Sequence, residues 1–292
     1  MIIATVFPVF FIIGLGWLFA RFKQINLGEV SEILLFITTP CLVFSSLIKS
    51  QIVMTDFLTI ALSVLGITSG TALATGIFLR LSRQECRGLY LPVLFMNAGN
   101  MALPLALLAF GQEGLNRRLP FLLFYVTSAF LNDSLGLMIV SRKGHLSEVL
   151  PIPLIYAAIL GILLGILRVP LNPTLVKAFE VLGEAAIPLM LLSLGYLLHR
   201  TRIHSLQLAV AGAFLRIGLG FLLALLTVSL FHIQGTTRSI ILLSASMPSA
   251  IVNFLLAQRY ERNADVVVSV ILVSTLLSLL TTPLVLAFSM GR

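Results

Sequence analysis

Apolar residues run along this chain in long blocks, and the charged residues fall between them. A helix needs about 20 mainly apolar residues to cross the hydrocarbon core of a bilayer. Ten blocks qualify, at residues 2–20, 32–48, 57–79, 88–110, 119–140, 150–169, 174–198, 203–231, 239–257 and 264–289. The connections are short and polar, as in RFKQINLGE, LSRQECR, GQEGLNRR, SRKGHLSE, HRTRIHS and QRYERNAD. No block has the alternation over about 9–11 residues that a membrane β-strand would show. The pattern predicts an all-α integral membrane protein with about ten transmembrane helices. The first block, MIIATVFPVFFIIGLGWLFA, has no positive leader and no small-residue cleavage site, so it reads as a retained span.

Composition points the same way. Hydrophobic residues make up 59% of the 292 and charged residues 10%, too few charges to clothe a soluble protein of this length. The spans leave no room for a soluble domain. A net charge of +8 could indicate nucleic acid, but the Lys and Arg lie in short clusters between apolar runs, where membrane orientation explains them. Loops after odd blocks hold Arg21, Lys23, Arg80, Arg83, Arg87, Arg142, Lys143, Arg200, Arg202, Arg259 and Arg262. The other side holds Lys49, Arg117, Arg118, Arg168, Lys177, Arg238 and Arg292. The bias of about eleven to seven places loop 141–149 in the cytoplasm and both termini outside, periplasmic in a bacterial inner membrane. Cys41 and Cys86 read as free thiols used as small hydrophobes.

Internal repetition is the next signal. Gly16 and Pro40 are matched by Gly165 and Pro188 at nearly equal spacing, and PCLVFSSL is echoed by PLMLLSLG, with Ser45 and Ser193 each five residues past their proline. Arg87 precedes NAGN, and Arg238 precedes PSAIVN, by ten residues. VTS at 126–128 echoes VST at 273–275. The common order predicts two five-helix repeats, 1–145 and 146–292. Five is odd, so the copies lie inverted in the membrane, as in many secondary transporters.

Two blocks have centres unsuited to an ordinary span. The fourth contains Asn97, Gly99, Asn100 and Pro104; the ninth contains Ser246, Pro248, Ser249 and Asn253. Asparagine facing hydrocarbon is costly, glycine weakens a helix, and proline removes a backbone donor. Asn97 and Pro248 each lie ten residues past a basic flank, a depth of roughly 15 Å at about 1.5 Å per residue. Broken helices at corresponding positions of two halves point to a transport site. Half-helix N–H groups suit an anion, and freed carbonyls or side-chain oxygens suit a cation. The plainer alternative is a pair of proline kinks closed by interhelical hydrogen bonds.

The motifs NxGNxxLPL with FGQEGL, PCLVFSSL, GEAAIPLMLLSLG and MPSAIVNFLLAQRY resemble the auxin efflux carrier family, which has bacterial members beside the plant exporters. The resemblance runs through almost the whole chain. It implies a ten-helix fold with a mobile scaffold and crossover helices, related to the bile-acid sodium symporters, and transport of small organic anions such as carboxylates. The chain lacks the long hydrophilic central loop of the larger plant carriers, which argues for a prokaryotic member and against auxin itself.

Few charges lie inside the blocks, so each is a functional candidate. Asp133, beside Asn132 and Ser134, could carry a proton or hold Na⁺, or be a structural partner. Arg216 could pair a carboxylate or attract an anionic substrate, and a structural salt bridge is the alternative. Glu184, one turn after Glu180, is a gating or coupling candidate. His145, His199, His204 and His232 all fall at block ends. HExxH, GxSxG and GxxxxGK[ST] are absent, so neither an enzyme nor an ATP-driven pump is expected. The reading is a secondary transporter without a cofactor, energised by Na⁺, H⁺ or a substrate gradient. Its partners are a small organic anion and the lipid bilayer, with a homodimer left open. A passive channel is the alternative.

Overall fold

The computed structural model describes residues 2–49, 54–110, 115–140 and 153–290. Loop 141–149, with Arg142, Lys143 and His145, lies outside the described residues, as does Arg292. At Asn100 and Asp133 the backbone alone is described. In chain order the helices are α1 (Ile2–Phe22), α2 (Leu27–Leu47), α3 (Thr55–Leu81), α4 (Tyr90–Leu94), α5 (Leu103–Phe110), α6 (Leu119–Val140), α7 (Pro153–Leu167), α8 (Pro173–Arg200), α9 (Leu206–Leu230), α10 (Gly235–Ala245), α11 (Val252–Arg259) and α12 (Ala264–Ser289). No strand occurs among the described residues, apart from one isolated bridge between Met96 and Ser249.

Six of these helices, α2, α3, α6, α8, α9 and α12, are long and apolar enough to cross a membrane. They differ from the ten expected blocks for identifiable reasons. The fourth and ninth blocks are broken at their centres into α4 with α5 and α10 with α11. The first and sixth form the unbroken apolar helices α1 and α7. Proline sets three of the local irregularities. α2 carries a π turn at Leu34–Thr38 ahead of Pro40, and a second π turn at Ala98–Ala102 precedes Pro104. α8 is interrupted at Ala185, ahead of Pro188. In each case the proline withdraws the N–H that would close the turn before it.

The helices pack as two groups. α1, α2, α7 and α8 lie against one another, while α3, α6, α9, α10 and α12 form the other group around the broken helices. Glycine fixes the first group. Gly16 faces the Leu192 carbonyl of α8, and Gly195 faces the Ile13 carbonyl of α1, both too closely for a methyl group. α7 meets α2 in the same way, where a Cβ at Gly165 would lie 3.0 Å from the Leu47 carbonyl oxygen. Large apolar side chains such as Leu62, Leu73, Phe214, Leu222 and Leu280 point outward. Such a surface suits lipid tails, which solvate apolar atoms that water would not.

Candidate functional site

α4 stops at Leu94 and α10 at Ala245, and the chain beyond each is irregular. There the two broken helices cross and pair antiparallel at one point. The Asn97 N–H donates to the Pro248 carbonyl (2.7 Å), and the Ala250 N–H donates to the Phe95 carbonyl (3.2 Å). Asn253 closes the crossing from the first turn of α11. Its Nδ2 donates to the Phe95 carbonyl (2.9 Å) and to Ser249 Oγ (3.0 Å). The Ser249 N–H donates in turn to Ser274 Oγ on α12 (3.2 Å). The Ser246 hydroxyl donates to the Leu243 carbonyl (2.8 Å). Asn253 and Ser249 are wholly buried, so each of these bonds replaces one that water cannot supply.

Arg216 completes the crossing from behind. It projects from a π turn of α9 at Leu215–Leu219 and has no exposed surface. Its Nη1 donates to the Val93 (2.7 Å) and Leu94 (2.9 Å) carbonyls, and its Nη2 to the Ala245 carbonyl (2.9 Å). These are carbonyls at the C-terminal ends of α4 and α10, which have no donors of their own in a continuing helix. One guanidinium thus caps both ends, and their partial negative charge compensates it. Gly220, one turn along α9, leaves the space, since a Cβ there would collide with the guanidinium. The sequence suggests a carboxylate partner or an anionic substrate for this residue. Its partners here are backbone oxygens, and among the described residues no carboxylate pairs with it.

In front of the crossing lies a cavity of about 120 Å³ between the two helix groups. Ser31 and Thr39 of α2, Leu154 of α7 and Met190 and Ser193 of α8 form one wall. Asn97, Gly99, Tyr125, Ser128 and Asn132 form the other. Thr39 Oγ1, Ser128 Oγ and Asn132 Oδ1 are buried without a hydrogen-bond partner in the protein. Gly99 lies against the Tyr125 ring, where a Cβ would be 2.6 Å from Cε2.

Of the residues singled out in the sequence, Asn97, Gly99, Asn132 and Ser193 line this cavity. Ser246, Pro248, Ser249, Asn253 and Arg216 build the crossing behind it. Pro104 is buried in α5, and Ser45 is buried in α2 with its hydroxyl turned to the Leu42 carbonyl (3.3 Å). Glu184 is exposed on α8. Asn100 and Asp133 hold places in the π turns at Ala98–Ala102 and Asn132–Gly136. Sequence reasoning missed Thr39, Tyr125 and Ser128. The VTS echo at 126–128 touched the last of these, but only as a mark of repetition.

Residues 145–286 match the family model described as membrane transport protein. The matched half contains GEAAIPLMLLSLG and MPSAIVNFLLAQRY, two of the motifs that carry the resemblance to the auxin efflux carriers. An uncharacterized transporter of Methanothermobacter thermautotrophicus is 28% identical over 298 residues, covering 96% of each chain. An uncharacterized transporter of Methanocaldococcus jannaschii is 26% identical over 287 residues, covering 91% of each. Over residues 145–286, then, the chain is similar to the membrane transport protein family.

Proposed function

We propose that this chain is a secondary active transporter that carries small organic anions, carboxylates above all, across a prokaryotic cell membrane by alternating access. The observation that carries this reading is the cavity. It lies between two helix groups and holds buried hydroxyl and amide atoms that no protein group satisfies. A site between two bodies changes the side it opens to when one body moves against the other. The turn at Ala98–Ala102 and α11 both start beside it, and helix N-termini carry N–H groups and partial positive charge that favour a carboxylate.

The packing also supports two inverted repeats, 1–145 and 146–292. α1 meets α8 through Gly16, and α7 meets α2 through Gly165. That is one contact made twice with the halves exchanged, and the crossing pairs Met96 of one half with Ser249 of the other. Na⁺ or H⁺ is the coupling ion in this scheme. The free oxygens of Thr39, Ser128 and Asn132 suit a hard cation, and Asp133, next in the chain to Asn132, is the group to carry a proton.

Proteoliposome flux against a panel of mono- and dicarboxylates, with the H⁺ and Na⁺ gradients set independently, tests the proposal. Saturable uptake that accumulates against a gradient is expected. Flux that neither saturates nor responds to any ion gradient would make the protein a channel.

A further inference from the structure

We propose that Arg216 fixes the charge of the substrate, so that the crossing is built for a short-chain monoanion. The inference rests on the cavity being the anion site proposed above. Four half-helix ends meet at the crossing. The C-terminal ends of α4 and α10 each carry about half a negative charge, and the N-terminal ends at Ala98 and Val252 about half a positive charge. Those four contributions cancel. Arg216 adds one whole positive charge, wholly buried, with no carboxylate bonded to it among the described residues. No described residue lining the cavity is charged.

With Asp133, the proton carrier proposed above, holding its proton, the balance at the crossing is about one positive charge. Arg216 acts from behind the site. It occupies the carbonyls of Val93, Leu94 and Ala245, and Leu94 lies only three residues before Asn97. Left bare, those oxygens would repel a carboxylate in the cavity. Capped, they leave the helix N-termini to act unopposed, in a medium that screens poorly. A monoanion balances the site, a neutral solute gains nothing from it, and a dianion leaves one charge uncompensated.

A second, independent observation marks the cavity as a ligand site: Thr39 Oγ1, Ser128 Oγ and Asn132 Oδ1 line it, buried and unpartnered. Its volume sets the scale of the ligand. A cavity of about 150 Å³ holds benzene, so about 120 Å³ suits a carboxylate of roughly six heavy atoms.

The test measures calorimetric binding of butanoate, butanamide and ethanedioate, each of six heavy atoms, to the full chain in detergent, in Na⁺-free buffer at pH 7.5. In the unmodified protein butanoate should bind at least tenfold more tightly than either of the others. Arg216→Gln should bring the butanoate-to-butanamide ratio close to one, and Arg216→Lys should restore most of it. Gly220→Ala, whose methyl would strike both the guanidinium and the Ala245 carbonyl that it caps, should lower it too. A purely structural role would weaken all three ligands alike and leave the ratio unchanged. The ratio does not depend on the folded fraction, and the ranking in the unmodified protein needs no variant. Butanamide or ethanedioate bound as tightly as butanoate overturns the inference. So does an unchanged ratio in Arg216→Gln with butanoate still bound, which leaves the transport reading standing. If none of the three binds the unmodified protein, the anion-site reading falls together with this one.

Discussion

The Nδ2 of Asn253 donates to the carbonyl of Phe95 across 2.9 Å, joining residues 158 apart in sequence at the point where the two broken helices cross. The same nitrogen reaches Ser249 Oγ, so one buried amide ties its own helix to the other. The Phe95 carbonyl also accepts from the Ala250 N–H, which leaves it one partner if the amide is lost.

Asn253→Ala should therefore lower stability by about 1–3 kcal/mol, the cost of removing a buried bonded group. Asn253→Asp should cost more, because it sets a buried negative charge against a carbonyl oxygen. Thermal melting in detergent checks both. An alanine variant that melts with the unmodified protein would show that the backbone bridge alone holds the crossing.

The free hydroxyls of the cavity predict the opposite pattern. Thr39→Val and Ser128→Ala each remove a buried oxygen that has no partner in the protein. Folding should lose little from this, with melting unchanged or raised by up to about 1 kcal/mol in stability. Uptake should fall at least tenfold if these oxygens meet the substrate or its coupling ion. Full uptake in both variants would move the site away from this cavity.

The backbone contact between α1 and α8 is testable with a matched pair. A methyl at Gly195 would strike the Ile13 carbonyl, whereas Gly14, on the same helix as Ile13, has nothing within 4 Å. Gly195→Ala should destabilise by about 1–3 kcal/mol or more, as overpacking does. Gly14→Ala should be neutral or slightly favourable, since alanine is the better helix former. Equal melting temperatures for the two variants would contradict the close contact.

Orientation follows from the Lys/Arg bias. Single cysteines placed beside Lys143 and Arg292, with Cys41 and Cys86 replaced by alanine, should react differently with an impermeant maleimide in intact cells. The site near Arg292 should label and the site near Lys143 should not. The reverse result inverts the topology.

The sequence made the breaks legible because their cause is written in residue types. Asn97, Pro104, Pro248 and Asn253 are out of place in apolar runs, and the structure puts the interruptions among them. Gly16 and Gly165 were visible as well, though as marks of repetition and not as places where helices touch. The free hydroxyls were not legible. A serine or threonine in a membrane helix ordinarily bonds the carbonyl one turn back, as Thr71 and Ser134 do here. Nothing in FYVTSAF says that Ser128 departs from that habit. Arg216 misled for a related reason. A search for its partner among acidic side chains cannot find it, since its acceptors are main-chain oxygens that every residue possesses.

The glycine contacts of the first helix group have a mechanical consequence. Where side chains separate two helices, rotamer changes can absorb a small displacement. At Gly16 and Gly195 backbone lies against backbone with no such cushion, so α1 and α8 behave at that level as one stiff plate. Ser193 and Met190, which α8 contributes to the cavity wall, are fastened to that plate. Widening or narrowing the cavity then falls to whatever stands opposite, and a single added methyl on the plate would be felt across its whole breadth.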